Sequence, residues 1–390
     1  MGKIYSMAEV TLIAAAGVDS SYGLPGVNRD RDALEEDVKV GRLRFVTTYE
    51  LVADEVHKSV WSSRAWTFQE GYMSKRRLYF TDRRILYVCD THVHYDANWF
   101  NKPIGWEDLG SMGQCLPDAI SQSNLAVGIM REYTRRNLSY ESDALNAIVG
   151  TLNTLAGNEP PICHIWGVTF APSYSLYEWA IALHWNHTSP CPRRHDFPSW
   201  SPIGWDGAVE YLPIVQPLVS ETFQVKVWER HRYGGLSRMM TDLSRSHSRS
   251  DIDRSRYLLV VAKIMWVEFR FISDPYLHQG EDAQAGFYAN FPTSESTRKL
   301  ILPYWDVEKD ASFSGMLAPC VIIPGDTGAA YTIIILQNCE THYERIGCFV
   351  YLGDSNTLDY TNLASSKIAR SESWKFFNYH GRTTNFLLGY

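Results

Sequence analysis

The sequence lacks the features that mark several large classes of protein. Its seven cysteines are widely spaced among 390 residues, without a Cys-x-x-Cys pair and without a secretory signal before them. Free thiols in a reducing compartment are therefore expected, and the predicted location is cytoplasmic. The longest apolar runs, Tyr257–Val267 and Ala330–Leu336, are far shorter than the roughly 18 to 20 residues that cross a bilayer. No transmembrane segment is predicted.

The sequence also lacks an excess of positive charge: 37 Lys and Arg residues face 44 Asp and Glu residues, so the formal net charge is −7. The sequence pI is about 6.0. A protein without a global positive field is not expected to bind nucleic acid as its main partner. The sequence contains no GxGxxG, no GK[ST], no GxSxG and no HExxH, which removes the common nucleotide, serine hydrolase and zinc protease signatures. His92 and His94 share one predicted strand face, but no third ligand is evident, so no metal site is predicted.

The first 90 residues have the pattern of an α/β unit. The first seven residues read as a helix that leads into an apolar strand, Val10–Ala16, and a Gly/Pro-rich loop, Gly17–Val27, follows. Helical spacing returns from Tyr49 to Met73, with a break near Ser59. The next segment predicts a β-hairpin with strands Leu78–Phe80 and Ile85–Cys89.

The remainder changes from helical to β-rich patterning. Residues 118–185 are predicted to be mainly helical, with one helix capped by Ser142 and carrying an apolar stripe from Leu145 to Leu155, and a second over Leu176–Trp185. Beyond Phe197 strands are predicted, and the clearest are Thr222–Trp228, Tyr257–Ile272 and Ala330–Gln337. A polar tract, Ser237–Arg256, predicts a mobile surface loop.

The stretch RAWTFQE, Arg64 to Glu70, needs an explanation because both faces of its predicted helix carry residues that require cover. At 100° per residue one face holds Trp61, Ala65, Phe68 and Tyr72, and the other holds Ser63, Trp66 and Glu70. Such a helix is either sandwiched between layers or lines a cleft. Two interpretations of Glu70 stay open: a cleft carboxylate with a chemical role, or a structural acid paired with Arg64 or Arg76.

These residues also carry a family resemblance. Residues 59–80, SVWSSRAWTFQEGYMSKRRLYF, closely resemble the signature that closes the fungal heterokaryon-incompatibility (HET) domain, and residues 1–27 resemble the segment before it. Tyr133–Gly150 and Asp196–Tyr211 resemble regions that commonly follow a HET domain, except that Pro202 stands where a tryptophan is usual. The Tyr-Val-Trp-Gly-like and Trp-Ile-Asp-like motifs that usually open the domain do not occur, which predicts an amino-terminally truncated HET domain. The resemblance implies a role in fungal non-self recognition and programmed cell death.

HET domains are in turn similar to TIR domains, flavodoxin-like α/β modules of which some cleave NAD. The Trp66-x-x-x-Glu70 pattern resembles the TIR arrangement in which a tryptophan precedes the catalytic glutamate. That similarity implies that Glu70 is catalytic and that Trp66, Ser63 and Gly17 line the nucleotide pocket, with NAD as a substrate and no cofactor. A carboxylate there would stabilise the oxocarbenium-like centre formed as the nicotinamide–ribose bond breaks.

The predicted fold is mixed α and β: a partial TIR-like remnant, a helical middle region and a β-rich carboxyl-terminal half. The predicted regions are 1–90 (the end of a HET domain and a hairpin), 91–196 (mainly helical) and 197–390 (β-rich, with a disordered loop near 237–256). We expect a non-catalytic signalling module that acts through self-association or through protein partners of a cell-death pathway. The alternative is a TIR-like NAD glycohydrolase that uses Glu70.

Overall fold

The computed structural model describes most of the chain and divides it into two compact units, residues 1–162 and 163–390. The described residues are 2–32, 37–46, 52–89, 93–95, 122–157, 159, 161–170, 183–211, 224–230, 236–239, 257–273, 286–292, 298–324, 330–339, 342–352 and 384–389.

The first unit is organised by a parallel pair of strands with helices between them. Strand β1 (Thr11–Ala14) pairs in parallel with β4 (Arg76–Phe80), in a register that sets Thr11 opposite Arg77. Parallel neighbours need a crossover connection, and here it contains three short helices, α2 (Val52–His57), α3 (Val60–Ser63) and α4 (Thr67–Met73). The parallel pair with its helical crossover is the α/β feature that the sequence predicted.

The sheet of the first unit is completed by two antiparallel strands. Its order is β1-β4-β5-β6, where β5 is Ile85–Cys89 and β6 is Val93–Tyr95. The predicted hairpin is confirmed, because β4 and β5 pair antiparallel across the turn of residues 81–84. Among the described residues, the unit also contains helix α1 (Gly2–Met7), the small hairpin β2 (Asp37–Val40) and β3 (Leu43–Val46), helix α5 (Gln122–Thr134) and helix α6 (Asn146–Leu155).

The predicted helical segment over residues 49–73 does break at Ser59. The Ser59 side chain accepts a hydrogen bond from the Ser62 backbone N–H (3.1 Å) and so caps α3. The Ser142 cap is wrong, because residues 141–143 form a 3₁₀ turn and α6 begins only at Asn146. The apolar stripe itself is confirmed, since Ile148, Leu152 and Leu155 are buried.

The second unit is built on one ten-stranded sheet. Its strands are β11 (Gln224–Arg230), β12 (Leu236–Met239), β13 (Tyr257–Ile272), β14 (Gly286–Pro292), β15 (Arg298–Ile301), β16 (Tyr304–Trp305), β17 (Met316–Pro324), β18 (Ala330–Asn338), β19 (Tyr343–Leu352) and β20 (Thr384–Gly389). The main path of the sheet is β12-β11-β13-β17-β18-β19-β16, and β14, β15 and β20 pair at its sides. The sheet curls, so that β20 pairs with both β13 and β19.

Shorter strands precede this sheet in the second unit. They form two antiparallel pairs: β7 (Cys163–Ile165) with β8 (Val168–Phe170), and β9 (Trp185–His187) with β10 (Val209–Tyr211). The mainly helical prediction for residues 118–185 is therefore wrong at β7 and β8. The predicted helix Leu176–Trp185 is wrong at its end, because Trp185 begins β9. Residues 171–182 lie outside the described part of the chain.

Most sequence-derived strands of the second half are confirmed, including Tyr257–Ile272, which forms β13 over that full span. Long apolar β-branched runs form buried strands, and Ile333, Ile335 and Phe349 are fully buried between β18 and β19. The predicted mobile loop is wrong at its start, since Ser237–Met239 belong to β12. Its remainder, residues 240–256, lies outside the described residues.

The mixed α and β fold with a β-rich carboxyl-terminal half is therefore confirmed, and the three-region boundaries of the sequence stay a prediction. Over the described part of the chain, no helix combines the length and the apolar character that crossing a membrane requires.

Candidate functional site

The carboxylate of Glu70 joins three helices of the first unit. The Tyr5 hydroxyl in α1 donates to Glu70 Oε1 (3.0 Å), and Trp61 Nε1 in α3 donates to Glu70 Oε2 (3.1 Å). Glu70 itself lies in α4 and is only partly buried. Each carboxylate oxygen therefore holds a different helix, and both donors are uncharged.

The contact with Trp61 corrects the helical-wheel prediction, which placed Trp61 and Glu70 on opposite faces. The chain does not continue as one helix, because Arg64 adopts extended backbone (φ −89°, ψ 133°) between α3 and α4. Asn137 fixes this break through two backbone hydrogen bonds, since it accepts from Ala65 N (2.9 Å) and donates to Ser63 O (2.7 Å). The redirected chain carries the Trp61 indole back toward the side of α4 that holds Glu70.

The predicted ionic partners of Glu70 are also corrected. Arg76 pairs instead with Glu9 (3.4 Å), and both of those side chains are largely exposed. The Arg64 carbonyl accepts from the Thr67 hydroxyl (2.6 Å) as part of the bend. The donors are Tyr5 and Trp61, which the sequence did not suggest because they come from separate helices.

Tyr5 is a stable donor because its proton is held firmly. Burial raises the pKa of Tyr5 to about 12, and the charge of Glu70 and the hydrogen bond to it act in the same direction. The phenol is therefore fully protonated at neutral pH and keeps one Glu70 oxygen occupied.

The other predicted site residues do not gather around Glu70. Trp66 is 37% exposed and its Nε1 donates to Asp143 Oδ2 (3.2 Å), at the 3₁₀ turn before α6. The Ser63 hydroxyl donates to the Val60 carbonyl (2.9 Å) within α3.

Gly17 lies beyond the carboxyl end of β1 and has φ +74°, and an added Cβ would fall 2.1 Å from the Tyr22 ring. Glycine is required there by the turn itself.

The two ends of β1 separate Gly17 from Glu70. The Glu70 carbonyl accepts from the Ser74 hydroxyl (2.6 Å), which lies 2.7 Å from the hydroxyl of Thr11, the first residue of β1. Glu70 is thus beside the amino-terminal end of β1, whereas Gly17 follows its carboxyl end. Ligands of open α/β sheets bind at the carboxyl ends of the strands. The nucleotide-pocket roles of these residues stay predictions.

Arg136, which the sequence analysis did not single out, packs against the neighbouring part of α4. The Arg136 guanidinium lies over the Phe68 ring (4.9 Å to the centroid) and donates to the Thr67 hydroxyl (3.2 Å). Burial lowers the pKa of Arg136 to about 10, so it remains charged at neutral pH. The sequence feature that could have pointed to Arg136 is its position in YTRRN, within the stretch that resembles HET-associated sequence.

The second unit holds a contrasting carboxylate, Asp306, which is fully buried. Asp306 accepts from His187 Nδ1 (2.8 Å) and from Arg345 Nε (2.9 Å), and all three side chains are at most 1% exposed. Burial raises the pKa of Asp306, but the Arg345 charge and the His187 contact outweigh it, so the pKa lies below its ordinary value.

Arg345 also anchors the segments around this carboxylate. Its Nη1 donates to Leu183 O (3.1 Å), its Nη2 donates to Trp185 O, and its guanidinium stacks on the Trp185 ring at 3.4 Å. The cluster of Asp306, His187 and Arg345 therefore links the start of β9 to β19, and its three side chains are closed to solvent. We therefore assign it to stability.

The imidazole pair considered from the sequence is only partly described. His94 lies in β6, is exposed and packs beside Tyr87 (ring centroids 6.3 Å apart), whereas His92 lies outside the described residues.

Comparison with known proteins finds a family match in the amino-terminal segment. Residues 1–70 match the family model described as heterokaryon incompatibility protein (HET). No curated protein and no solved structure matches the chain. The matched segment ends at Glu70, inside α4, and contains Tyr5 and Trp61 together with the carboxylate that they hold.

Proposed function

We propose that this chain, whose first 70 residues carry HET-family sequence, is a fungal cell-death and non-self-recognition protein that acts through protein contacts rather than through catalysis. The observation that carries the proposal is the use of both Glu70 oxygens as acceptors for Tyr5 and Trp61. A carboxylate held in this way stabilises the packing of α1, α3 and α4. Its removal is expected to loosen three helices at once.

The proposed contact surface lies on the same helical segment. Trp66, at the start of α4, is 37% exposed although α4 is otherwise largely buried through Thr67, Phe68, Gln69 and Gly71. Tryptophan is enriched among the residues that dominate protein interfaces. The partner is a second copy of this chain or another protein of the cell-death pathway, in the cytoplasm.

The alternative is a TIR-like NAD glycohydrolase. The parallel β1–β4 pair with its helical crossover supports a TIR-like remnant. The position of Glu70 beside the amino-terminal end of β1 favours the contact role over this alternative.

Conditional expression of the full chain in a filamentous fungus, with cell viability and NAD content measured together, tests the proposal. The parent should kill cells without depleting NAD, and Glu70→Gln, which keeps one acceptor oxygen, should kill as well. Glu9→Gln is the matched control, because it makes the same chemical change at an acid whose side chain is 96% exposed. Trp66→Ala should reduce killing.

Two results would contradict the proposal in different ways. NAD loss that Glu70→Gln abolishes, while Glu9→Gln preserves it, would establish the glycohydrolase alternative. Full viability of cells that express the folded parent chain would remove the cell-death role itself.

A further inference from the structure

The hairpin between β18 and β19 brings three metal-binding side chains together in the second unit. Cys339 follows β18, His342 precedes β19 and Glu344 is the second residue of β19. One ligand atom from each, the thiol sulfur, an imidazole nitrogen and a carboxylate oxygen, lies within 4.8 Å of the other two. All three side chains are only partly buried.

The backbone holds this cluster in a defined geometry. Cys339 N donates to His342 O (2.9 Å), which closes the hairpin, and the ladder below it sets Asn338 opposite Tyr343 and Gln337 opposite Glu344. His342 and Glu344 flank Tyr343, the first residue of β19, and their side chains approach each other to 3.6 Å between Nε2 and Oε1. β18 and β19 pair over nine register positions in the buried sheet, which makes their ends a rigid support.

The spacing of the polar atoms suits a metal better than it suits a hydrogen bond. His342 Nε2 and Glu344 Oε1 lie 3.6 Å apart, too far for a hydrogen bond. Zinc–nitrogen and zinc–oxygen bonds of about 2.0 to 2.1 Å at tetrahedral angles set such ligand atoms about 3.4 Å apart. The imidazole–carboxylate pair therefore already has nearly the separation of two ligands of one zinc ion.

The charges also match a divalent cation. A Cys339 thiolate and the Glu344 carboxylate supply two negative charges, and a neutral imidazole completes a mixed sulfur, nitrogen and oxygen set that zinc accepts. Without an ion, burial raises the pKa of Cys339, and the charge of Glu344 raises it further. A bound cation favours the thiolate, and the thiol proton leaves to solvent as the metal–sulfur bond forms.

We propose that Cys339, His342 and Glu344 bind one Zn²⁺ ion at the end of the β18–β19 hairpin, with a water molecule in the fourth position. The ion cross-links the two strands where their ladder ends. This site lies outside the HET-family segment, and the proposal departs from the sequence prediction of no metal site. The Cys-x-x-His-x-Glu spacing across a hairpin was the signal available in the sequence.

Co²⁺ titration of the purified full chain tests the proposal, because cobalt replaces zinc in such sites and a thiolate ligand gives it a charge-transfer absorption band. We expect one Co²⁺ per chain, a thiolate band that Zn²⁺ removes on addition, and tighter binding as the pH rises. Cys339→Ser should abolish the band. His342→Ala and Glu344→Gln should each weaken binding tenfold or more, since even outer-shell partners of metal ligands change affinity about 10–100-fold.

Matched variants separate this site from adventitious binding. Cys163→Ser removes another partly buried thiol, in β7, and His94→Ala removes an exposed histidine; both should leave the affinity and the band unchanged. Circular dichroism of each variant without metal confirms that it is folded. Absence of stoichiometric binding, or a band that persists in Cys339→Ser, would overturn the proposal.

Discussion

Glu70 and Asp306 are carboxylates that each accept from two side chains, yet their surroundings differ in charge and in exposure. Glu70 is partly exposed and accepts hydrogen bonds from two uncharged donors. Asp306 is fully buried and accepts hydrogen bonds from Arg345 and from His187. A buried charge without a charged partner is costly, and a charge near solvent is not. The comparison teaches that Asp306 depends on its partners far more than Glu70 does.

Arg345→Met should give the largest effect. The substitution keeps much of the side-chain volume but leaves Asp306 buried without its guanidinium, so we expect the free energy of unfolding to fall by about 3–5 kcal/mol. Chemical denaturation of the parent and the variant measures the loss. Asp306→Leu combined with Arg345→Met should recover part of it, because no buried carboxylate then remains. A loss under about 1 kcal/mol would show that the pair is not the buried support described here.

Acid should destabilise the second unit through His184, which lies beside the same network. Burial, and then the charge of Arg345, lowers the pKa of His184 to about 4 from its ordinary 6.5. The unfolded chain binds this proton more readily, so stability is full above pH about 6.5 and falls as the pH drops toward about 4. A shift of this size corresponds to a total of ~3 kcal/mol.

The measurement is the free energy of unfolding between pH 7 and pH 4.5. His184→Gln should flatten the profile in that range, whereas His94→Asn, at an exposed histidine, should leave it unchanged. The depressed pKa of Asp306 acts at lower pH, since that contribution is lost only below about the ordinary 3.8 of an aspartate. A parental profile that is flat from pH 7 to 4.5 would contradict the burial of His184 as a neutral imidazole.

The smallest effect is expected at Glu70. Tyr5→Phe removes one neutral donor from a carboxylate that solvent can still reach, so the unfolding free energy should fall by about 1 kcal/mol. Arg76→Ala is the matched control, because its ion pair with Glu9 is exposed and should contribute less than about 0.5 kcal/mol. Equal losses in Tyr5→Phe and Arg345→Met would erase the distinction between the two carboxylates.

Local patterns predicted several elements of this chain, and they failed where distant segments decide the geometry. The hairpin of β4 and β5 and the 16-residue strand β13 followed from runs of β-branched and aromatic residues. The Trp61–Glu70 contact did not follow, because the bend at Arg64 contains neither glycine nor proline and depends on Asn137. The Asp306 network was also beyond sequence reasoning, since it joins His187 and Arg345 from strands far apart in the chain.

The backbone bonds of Asn137 bear on how segments of this protein could be exchanged in evolution. Ser63 and Ala65, inside the family-matched segment, are held by a residue 67 positions beyond its end, and Gln69 Nε2 donates to the carbonyl of Asn146 (2.8 Å). A recombination event that transferred residues 1–70 alone would separate these partners. The smallest segment that keeps these contacts therefore extends at least to Asn146, the first residue of α6, and the family match ends at Glu70.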